Sequence, residues 1–420
     1  MKLTVYEQLQ NPLTRRRNDA HRARVLKLFP AIATAATPHY LALRRYLVNA
    51  PERFFNRAVH QLFFSWLRDR NATDRVALQQ YMDDAAVEIG RALLFLSEIS
   101  QEDWHDSLLD AVDEYELLRI IDRRIHRTYL RLVEGVLTPL TRIIAHFSRR
   151  DRAAGTEGLD IWGIVQELQA GPMASTAQSS RHTMRNGIGH GGITYQQYEI
   201  TYRDKRGAEE SIAIRDVIRL CDDLIDDCNA LASALTLFLI IHRDDGYAVP
   251  EELLVQELQE ETSSPWWSIE GVIRSQIPTG PQLLVYARTA TRDFTKVQWS
   301  AVQSGILAEL FASGYGRYFI SIRAHAALPG WAAFDGARIR ELREARTPTI
   351  SGYTKHRRKH ILLASHPFSP NFQSNRYTIA KHPHTMAIVY GRIASGTRHP
   401  GNHLSNRQDA PQRLAGCFEW

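Results

Sequence analysis

Cysteine is scarce in this sequence. Cys221, Cys228 and Cys417 are the three cysteines among 420 residues, and no two of them form a CxxC pair. Three cysteines cannot build a disulfide framework, so we expect the reducing environment of the cytoplasm. Cys221 and Cys228 lie seven residues apart in an apolar stretch. We interpret them as small core residues rather than as metal ligands.

Long apolar runs are also absent. The most apolar run, residues 231–241 (LASALTLFLII), falls short of the roughly 18 residues that span a bilayer. The N-terminal segment MKLTVYEQLQNPLTRRR has no apolar stretch of signal-peptide length. We therefore predict a protein without a membrane partner, in which residues 231–241 form a buried helix.

Two common motifs of nucleotide-binding proteins and serine hydrolases are missing as well. The sequence has no GxxxxGK[ST] phosphate loop and no GxSxG nucleophile elbow. His382, His384, His399 and His403 lie near one another in the sequence, but no cysteine or acidic residue falls at metal-ligand spacing beside them. We expect neither a metal nor another cofactor.

The composition that remains is that of a globular protein. Hydrophobic residues make up 44% and charged residues 23% of the chain, which argues against wholesale disorder. The length exceeds that of one typical core, so two or three domains are expected. The net charge of +6 permits an anionic partner without requiring one.

Hydrophobic periodicity indicates a mainly α fold. Helical spacing covers residues 54–67, 74–99, 115–147 and 159–168, with Pro139 expected to kink or break the third. The β-rich segments 198–203 and 210–214 then predict a hairpin, followed by an apolar helix from about Asp216. Residues 283–288, 293–312 and 317–323 predict a β-α-β step.

These patterns divide the chain into four predicted regions. They are a helical N-terminal region (1–110), a helical-bundle domain with a β-hairpin insert (111–245), a smaller α/β domain (246–349) and a basic, His-rich C-terminal tail (350–420).

The segment Arg185-Asn186-Gly187-Ile188-Gly189-His190-Gly191 is the strongest candidate for chemistry. If the approach to it is helical, Asn186 and His190 are four residues apart and share a face, with Arg185 beside that face. An imidazole can move protons near neutral pH, and a guanidinium presents planar donors to a charged phosphorane. An Asn amide can orient either group. This grouping suits phosphodiester cleavage.

A second interpretation of the segment is a simple helix end. Gly commonly terminates a helix, and Arg or His near the C-terminus interacts favourably with the helix dipole. An Arg followed within several residues by a His also recurs elsewhere, as in Arg119 and His126. What distinguishes the Arg185 segment is its polar second residue, its Gly exit, and the hairpin and apolar helix that follow.

On these residues, the stretch from about Tyr115 to His242 resembles a HEPN domain, a helical-bundle family found in many prokaryotic toxins and defence proteins. Its active members carry RNxxxH followed by Gly, which here corresponds to Arg185, Asn186, His190 and Gly191. Helix formers are usual between Asn and His in that family. Two glycines there cost about 1 kcal/mol each in a helix interior, which predicts a looser turn.

The resemblance implies a homodimer with two motifs facing each other, and metal-independent cleavage of RNA by the substrate's own 2′-hydroxyl. It implies His190 as the acid/base or phosphate-orienting group, Arg185 as the transition-state clamp and Asn186 as the positioner. It further implies a toxin or antiphage role, with an antitoxin or regulatory partner. The alternatives are a catalytically silent RNA-binding or assembly module on the same fold, and a helical scaffold.

The tail holds the second basic feature. Residues 350–420 contain ten Lys and Arg against two acidic residues, a net charge of +8, so the rest of the chain carries −2. The cluster Lys355, Arg357, Arg358 and Lys359, with aromatic residues nearby, could contact an RNA backbone. Its alternative is a solvated basic tail with no specific partner.

Overall fold

The computed structural model describes residues 12–34, 40–44, 46, 55–100, 102, 113–262, 264–324, 330–344 and 362–363. This part of the chain is mainly helical with two small sheets. The predicted RNA-binding residues Lys355, Arg357, Arg358 and Lys359, and the tail histidines, lie outside the described residues.

The N-terminal region contributes two helices, α1 (Pro12–Leu28) and the long α2 (Arg57–Ile99). The side chain of Asn56 caps α2 by accepting the backbone N–H groups of Ala58 and Val59. Asp74 has non-helical backbone angles, so α2 is kinked where the sequence predicted one helix to give way to the next. The sequence pattern did not predict α1, which has little apolar periodicity.

A continuous helical stretch then runs from Glu114 to Asp151. It consists of α3 (Glu114–Ile120), a π segment (Ile121–Ile125), α4 (His126–Leu132), a second π segment (Val133–Leu137) and α5 (Thr138–Asp151).

Pro139 does not break this stretch. It lies at the start of α5, directly after the second π segment, where the backbone N–H of Thr138 already bonds to the carbonyl of Val133, five residues back. The wider turn leaves room for a residue that cannot donate a backbone hydrogen bond. The predicted kink is therefore replaced by a π turn, and such turns are common at functional sites.

Three short helices and a sheet follow. The helices are α6 (Ile161–Gln169), α7 (Ala174–Gln178) and α8 (His182–His190), and the strands are β1 (Ile193–Tyr195), β2 (Glu199–Arg203) and β3 (Glu209–Ala213). The strands pair antiparallel in the order β1-β2-β3, so the predicted hairpin is present with one additional strand.

Helix α9 (Ile214–Ile241) is the core helix of the bundle. Cys221 and Cys228 are completely buried on it, as predicted, and burial raises the pKa of both thiols. Among the described residues it is the one helix long and apolar enough to cross a membrane. However, 89% of its most apolar window is buried inside the protein, which is the behaviour of a core helix in a soluble protein.

The C-terminal part of the described chain is α/β. It comprises α10 (Glu251–Thr262), β4 (Trp267–Ile277), β5 (Gly280–Thr289), α11 (Phe294–Phe311), β6 (Arg317–Ala324), β7 (Gly330–Asp335), α12 (Gly336–Glu344) and β8 (Leu362–Leu363). The described strands form one sheet in the order β4 to β8. Strands β5 and β6 are parallel, which confirms the predicted β-α-β step, and all other pairs are antiparallel.

Two hydrophobic cores lie within the described residues. The first extends from Val25 to Leu253 and the second from Leu254 to Ile339. The helical regions on either side of the predicted boundary at residue 110 thus share one core, whereas the change of core lies near the predicted boundary at 245. The boundaries themselves stay predictions.

Candidate functional site

Helix α8 carries Arg185, Asn186 and His190 and is held at its start by a buried tyrosine. The hydroxyl of Tyr129 accepts the backbone N–H of Arg181 at 2.8 Å and donates to the carbonyl of Ser179 at 3.2 Å. Tyr129 belongs to α4 and is 0% exposed. A buried side chain in the neighbouring helix therefore fixes the point at which α8 begins.

The end of α8 is a Schellman cap. Gly191 adopts a left-handed conformation with φ of 71°, which a residue without Cβ reaches at no steric cost. The backbone N–H of Gly192 bonds to the carbonyl of Gly187 at 2.8 Å, and that of Gly191 to Ile188 at 3.4 Å. The segment is thus a helix end, as the second interpretation predicted. This does not decide whether its side chains are catalytic.

Gly187 lets α8 pack closely on the sheet. A Cβ added there would lie 2.9 Å from the Cβ of Tyr202 on β2 and 3.1 Å from the carbonyl oxygen of Gly192. At Gly189, by contrast, an added Cβ would meet nothing within 4 Å. The expectation of a looser turn was wrong: α8 is helical through His190, because contact with the sheet and the cap offset the low helix propensity of glycine.

The two glycines provide a stability test with opposite signs. Gly187→Ala is expected to destabilise the protein by about 1–3 kcal/mol, because the new methyl group overlaps Tyr202. Gly189→Ala, the matched control two residues away, is expected to stabilise it by about 0.5–1 kcal/mol through a smaller loss of backbone entropy. Thermal unfolding followed by circular dichroism measures both. Shifts of the same sign would contradict this packing.

Arg185 is held between a carboxylate and an amide. Its guanidinium donates to the Oδ1 of Asn186 at 2.8 Å and to the carboxylate of Glu134. Glu134 lies in the second π segment, Val133–Leu137, and about half of its side chain is exposed. The Nε of Arg185 has no partner within the described part of the chain. That Nε is buried, so the two contacts orient the guanidinium and only its terminal N–H groups can reach a ligand.

Asn186 also contacts a histidine, but not the predicted one. Its Nδ2 lies 2.9 Å from the Nε2 of His182, one helical turn earlier, and the His182 ring lies 4.7 Å from the ring of Trp162. His190 is exposed, and no described residue hydrogen-bonds to its side chain. The structure thus joins His182, Asn186, Arg185 and Glu134 into one chain of contacts and leaves the His190 imidazole open to solvent.

A buried histidine, His126, lies behind α8 in a cluster with Tyr202, Asp122 and Tyr195. His126 Nε2 lies 2.8 Å from the hydroxyl of Tyr202, which is the residue packed under Gly187, and Asp122 lies on the other side of His126. Burial lowers the pKa of His126 to about 4, although Asp122 opposes this, so His126 is neutral near pH 7. Tyr195 on β1 donates to Asp122. This cluster ties the long helical stretch to the sheet that supports α8.

Sequence patterns did not identify Glu134 and His182 as members of the site. Glu134 is 51 residues away from Arg185 along the chain, and no local spacing links them. His182 precedes Asn186 by four residues, and His190 follows it by four. Spacing alone therefore could not tell which histidine contacts Asn186. The π segment that carries Glu134 has no recognised sequence signal here except the nearby Pro139.

The surroundings of α8 offer flat apolar surfaces. Trp162 beside His182 is 46% exposed, Tyr195 is 39% exposed and Tyr198, in the turn between β1 and β2, is 74% exposed. Exposed aromatic rings beside cationic side chains can stack on nucleobases. Among the described residues, no three His, Cys, Asp or Glu side chains are grouped closely enough to hold a metal ion.

The side chains on α8 can together bind an anion such as a phosphate and transfer a proton to or from it. They combine an oriented guanidinium, a solvent-exposed imidazole and an amide that fixes the guanidinium, all on one short helix anchored at both ends. In comparisons with known proteins, the chain matches no family model, no curated protein and no solved structure.

Proposed function

We propose that the α8 site cleaves RNA without a metal, as the resemblance to active HEPN domains implies. Support comes from one observation above the others: Arg185, pre-oriented by Asn186 and Glu134, and an exposed His190 lie on the same rigidly anchored helix. A developing phosphorane requires a fixed cation and a proton-transfer group, and α8 carries one of each.

The proposed reaction is a transesterification within the RNA strand. The 2′-hydroxyl oxygen attacks the adjacent phosphorus, and the bond from phosphorus to the 5′ oxygen breaks. The 2′-hydroxyl loses a proton and the departing 5′ oxygen gains one, so the products carry a 2′,3′-cyclic phosphate and a 5′-hydroxyl. Arg185 stabilises the charge on the phosphorane, and His190 moves the proton.

Asn186 receives a narrower role than the sequence suggested. Since its Oδ1 accepts from Arg185 and its Nδ2 faces His182, it positions the arginine and not His190. His182 and Trp162 then act as the support that holds the amide in this orientation.

Two copies of the protein fit this chemistry better than one. A single imidazole cannot both remove the 2′ proton and supply the 5′ proton at the same moment. A homodimer with two α8 helices facing each other, as the resemblance implies, provides two His190 side chains. A cytoplasmic toxin or antiphage nuclease, held in check by an antitoxin or regulatory partner, is the corresponding biological proposal.

One observation favours the catalytically silent alternative. Arg185 is already paired with Glu134, so a phosphate must compete with a carboxylate for the guanidinium. A site satisfied by its own carboxylate suits an RNA-binding or assembly module that engages the phosphate weakly and does not turn it over.

The choice of chemistry is tested with single-stranded RNA in EDTA. We expect the purified protein to cleave it and to leave 2′,3′-cyclic phosphate ends, identified by mass spectrometry. An oligonucleotide with a 2′-deoxy nucleotide at the mapped cleavage position is the matched control and should resist cleavage there. RNA binding without cleavage would favour the silent module. Cleavage at the deoxy position, or cleavage that requires a divalent metal, would contradict the proposed reaction.

A further inference from the structure

A half-open cavity of about 350 Å³ lies at the edge of the first core, built from elements other than those of the α8 site. It is formed where the end of α1 and the turn Pro30–Thr34 meet the first turns of α2, with Leu237 of α9 at its base. A volume of this size accommodates a small organic molecule.

Aromatic rings form the walls of this cavity around one histidine. The rings of Phe29 and Phe55 each lie 5.1 Å from that of His60, and the ring of Phe64 lies nearly parallel to it at 6.1 Å. All four residues line the cavity. These rings pack against one another, with each residue less than 10% exposed, and so form one aromatic wall against which the ring of a ligand can pack.

Hydrogen bonding fixes the tautomer of His60. The Ser233 hydroxyl lies 2.8 Å from His60 Nδ1 and donates its one proton to the carbonyl of Ala230, also at 2.8 Å. The Ser233 oxygen is then left to accept a proton from Nδ1, and the backbone of Ala230 also hydrogen-bonds to the His60 ring. Burial lowers the pKa of His60 to about 4, so the ring carries a single N–H near pH 7.

The other ring nitrogen of His60 consequently presents a lone pair. Nε2 hydrogen-bonds to no described side chain, and it is not fully buried. A hydrogen-bond acceptor at the wall of the cavity favours a ligand that donates a hydrogen bond.

The rim of the cavity is cationic. Lys27 at the end of α1 and Arg57 at the start of α2 both line it and are exposed. Arg57 precedes His60 by three residues, so the two side chains lie on the same face of α2. A ligand whose ring reaches His60 can thus place an anionic group beside Arg57.

We propose that this cavity binds an amino-purine nucleotide, with the base against the aromatic wall, its exocyclic amino group donating to His60 Nε2, and its phosphate at Arg57 and Lys27. Such a nucleotide has an amino group that donates a hydrogen bond, an aromatic base that packs on the wall, and a phosphate that the sugar separates from the base. The site is independent of RNA cleavage and would give the protein a means of responding to a small nucleotide.

Calorimetric titration of the full-length protein with adenosine 5′-monophosphate tests the proposal. We expect saturable binding with Kd on the order of 10–100 μM, a range ordinary for a ligand of this size. Arg57→Gln and Lys27→Gln are each expected to weaken binding at least about tenfold, because each removes a charge-assisted contact. Arg24→Gln, an exposed arginine on α1 that does not line the cavity, is the matched control and should bind as the wild type does.

A second ligand tests the hydrogen bond to His60 without disturbing the core. Purine riboside 5′-monophosphate lacks the exocyclic amino group and should bind at least about tenfold more weakly, since His60 Nε2 would lose its donor. Equal affinity for the two nucleotides would overturn the assignment of His60. Absence of saturable binding in the millimolar range, or equal affinity of the Arg57 variant and the wild type, would overturn the site.

Discussion

Replacing Arg185 with alanine is expected to lower kcat/KM for RNA cleavage by roughly 10²–10³-fold. The guanidinium is held in place by Asn186 and Glu134, and alanine removes the charge and both contacts at once. Arg185→Lys should recover only part of the activity, because an ammonium keeps the charge but not the planar pair of donors. Initial rates with a fluorogenic single-stranded RNA in EDTA measure the effect.

A surface arginine provides the control for this substitution. Arg215 lies at the start of α9 with a side chain that is 90% exposed, and Arg215→Ala should leave the rate unchanged. Circular dichroism should show the same helical content in all of these proteins. If the Arg185→Ala protein is folded and cleaves RNA as fast as the Arg215→Ala protein, Arg185 is not the clamp.

Replacing His190 with alanine should lower kcat by about 10²–10⁴-fold, whereas the same change at His182 should cost far less. The two histidines are eight residues apart on α8, and the sequence pattern alone does not exclude either. Both histidines are exposed, but His182 is engaged by Asn186 and by the ring of Trp162, whereas no described residue hydrogen-bonds to the His190 side chain. Only a histidine that reaches the substrate can transfer its proton.

The two histidine variants together show which histidine transfers the proton. A small effect of His182→Ala, expressed mainly in KM, fits a residue that positions Asn186 and through it Arg185. If His182→Ala abolishes cleavage and His190→Ala does not, the proton-transfer role belongs to His182 and the assignment made from RNxxxH is wrong.

Local features of the site could be predicted from the sequence. The helix that carries Arg185, the glycine that ends it and the hairpin that follows all depend on interactions within a few residues, and each is present. Strand β1 was missed because it is three residues long and directly follows two glycines. Strand β4 was missed because the Pro, Gly and Ser residues around it obscure its alternation.

Contacts between distant segments could not be predicted in this way. The pairing of Glu134 with Arg185 depends on the π turn that rotates α4 relative to α5, and hydrophobic spacing contains no information about such a turn. The same holds for Tyr129, whose hydroxyl sets the start of α8 across 52 residues. Sequence periodicity thus located the catalytic candidates, but not the groups that hold them.

The shared core explains why the N-terminal region yielded no chemistry from its sequence. Its helices contribute apolar residues to the same core as α9. The neighbours of their polar residues are set by that packing and not by local sequence. Nothing in the sequence distinguishes His60 from the other histidines. Only the structure shows its contacts with Ser233 and three phenylalanines.

The measurement closest to the central claim is the cleavage of single-stranded RNA in EDTA by the wild type and by the Arg185→Ala/His190→Ala double variant, prepared and assayed side by side. We predict that the wild type produces fragments with 2′,3′-cyclic phosphate ends and that the folded double variant produces none above the no-enzyme background. Equal cleavage by both proteins would contradict the assignment of the nuclease site to α8.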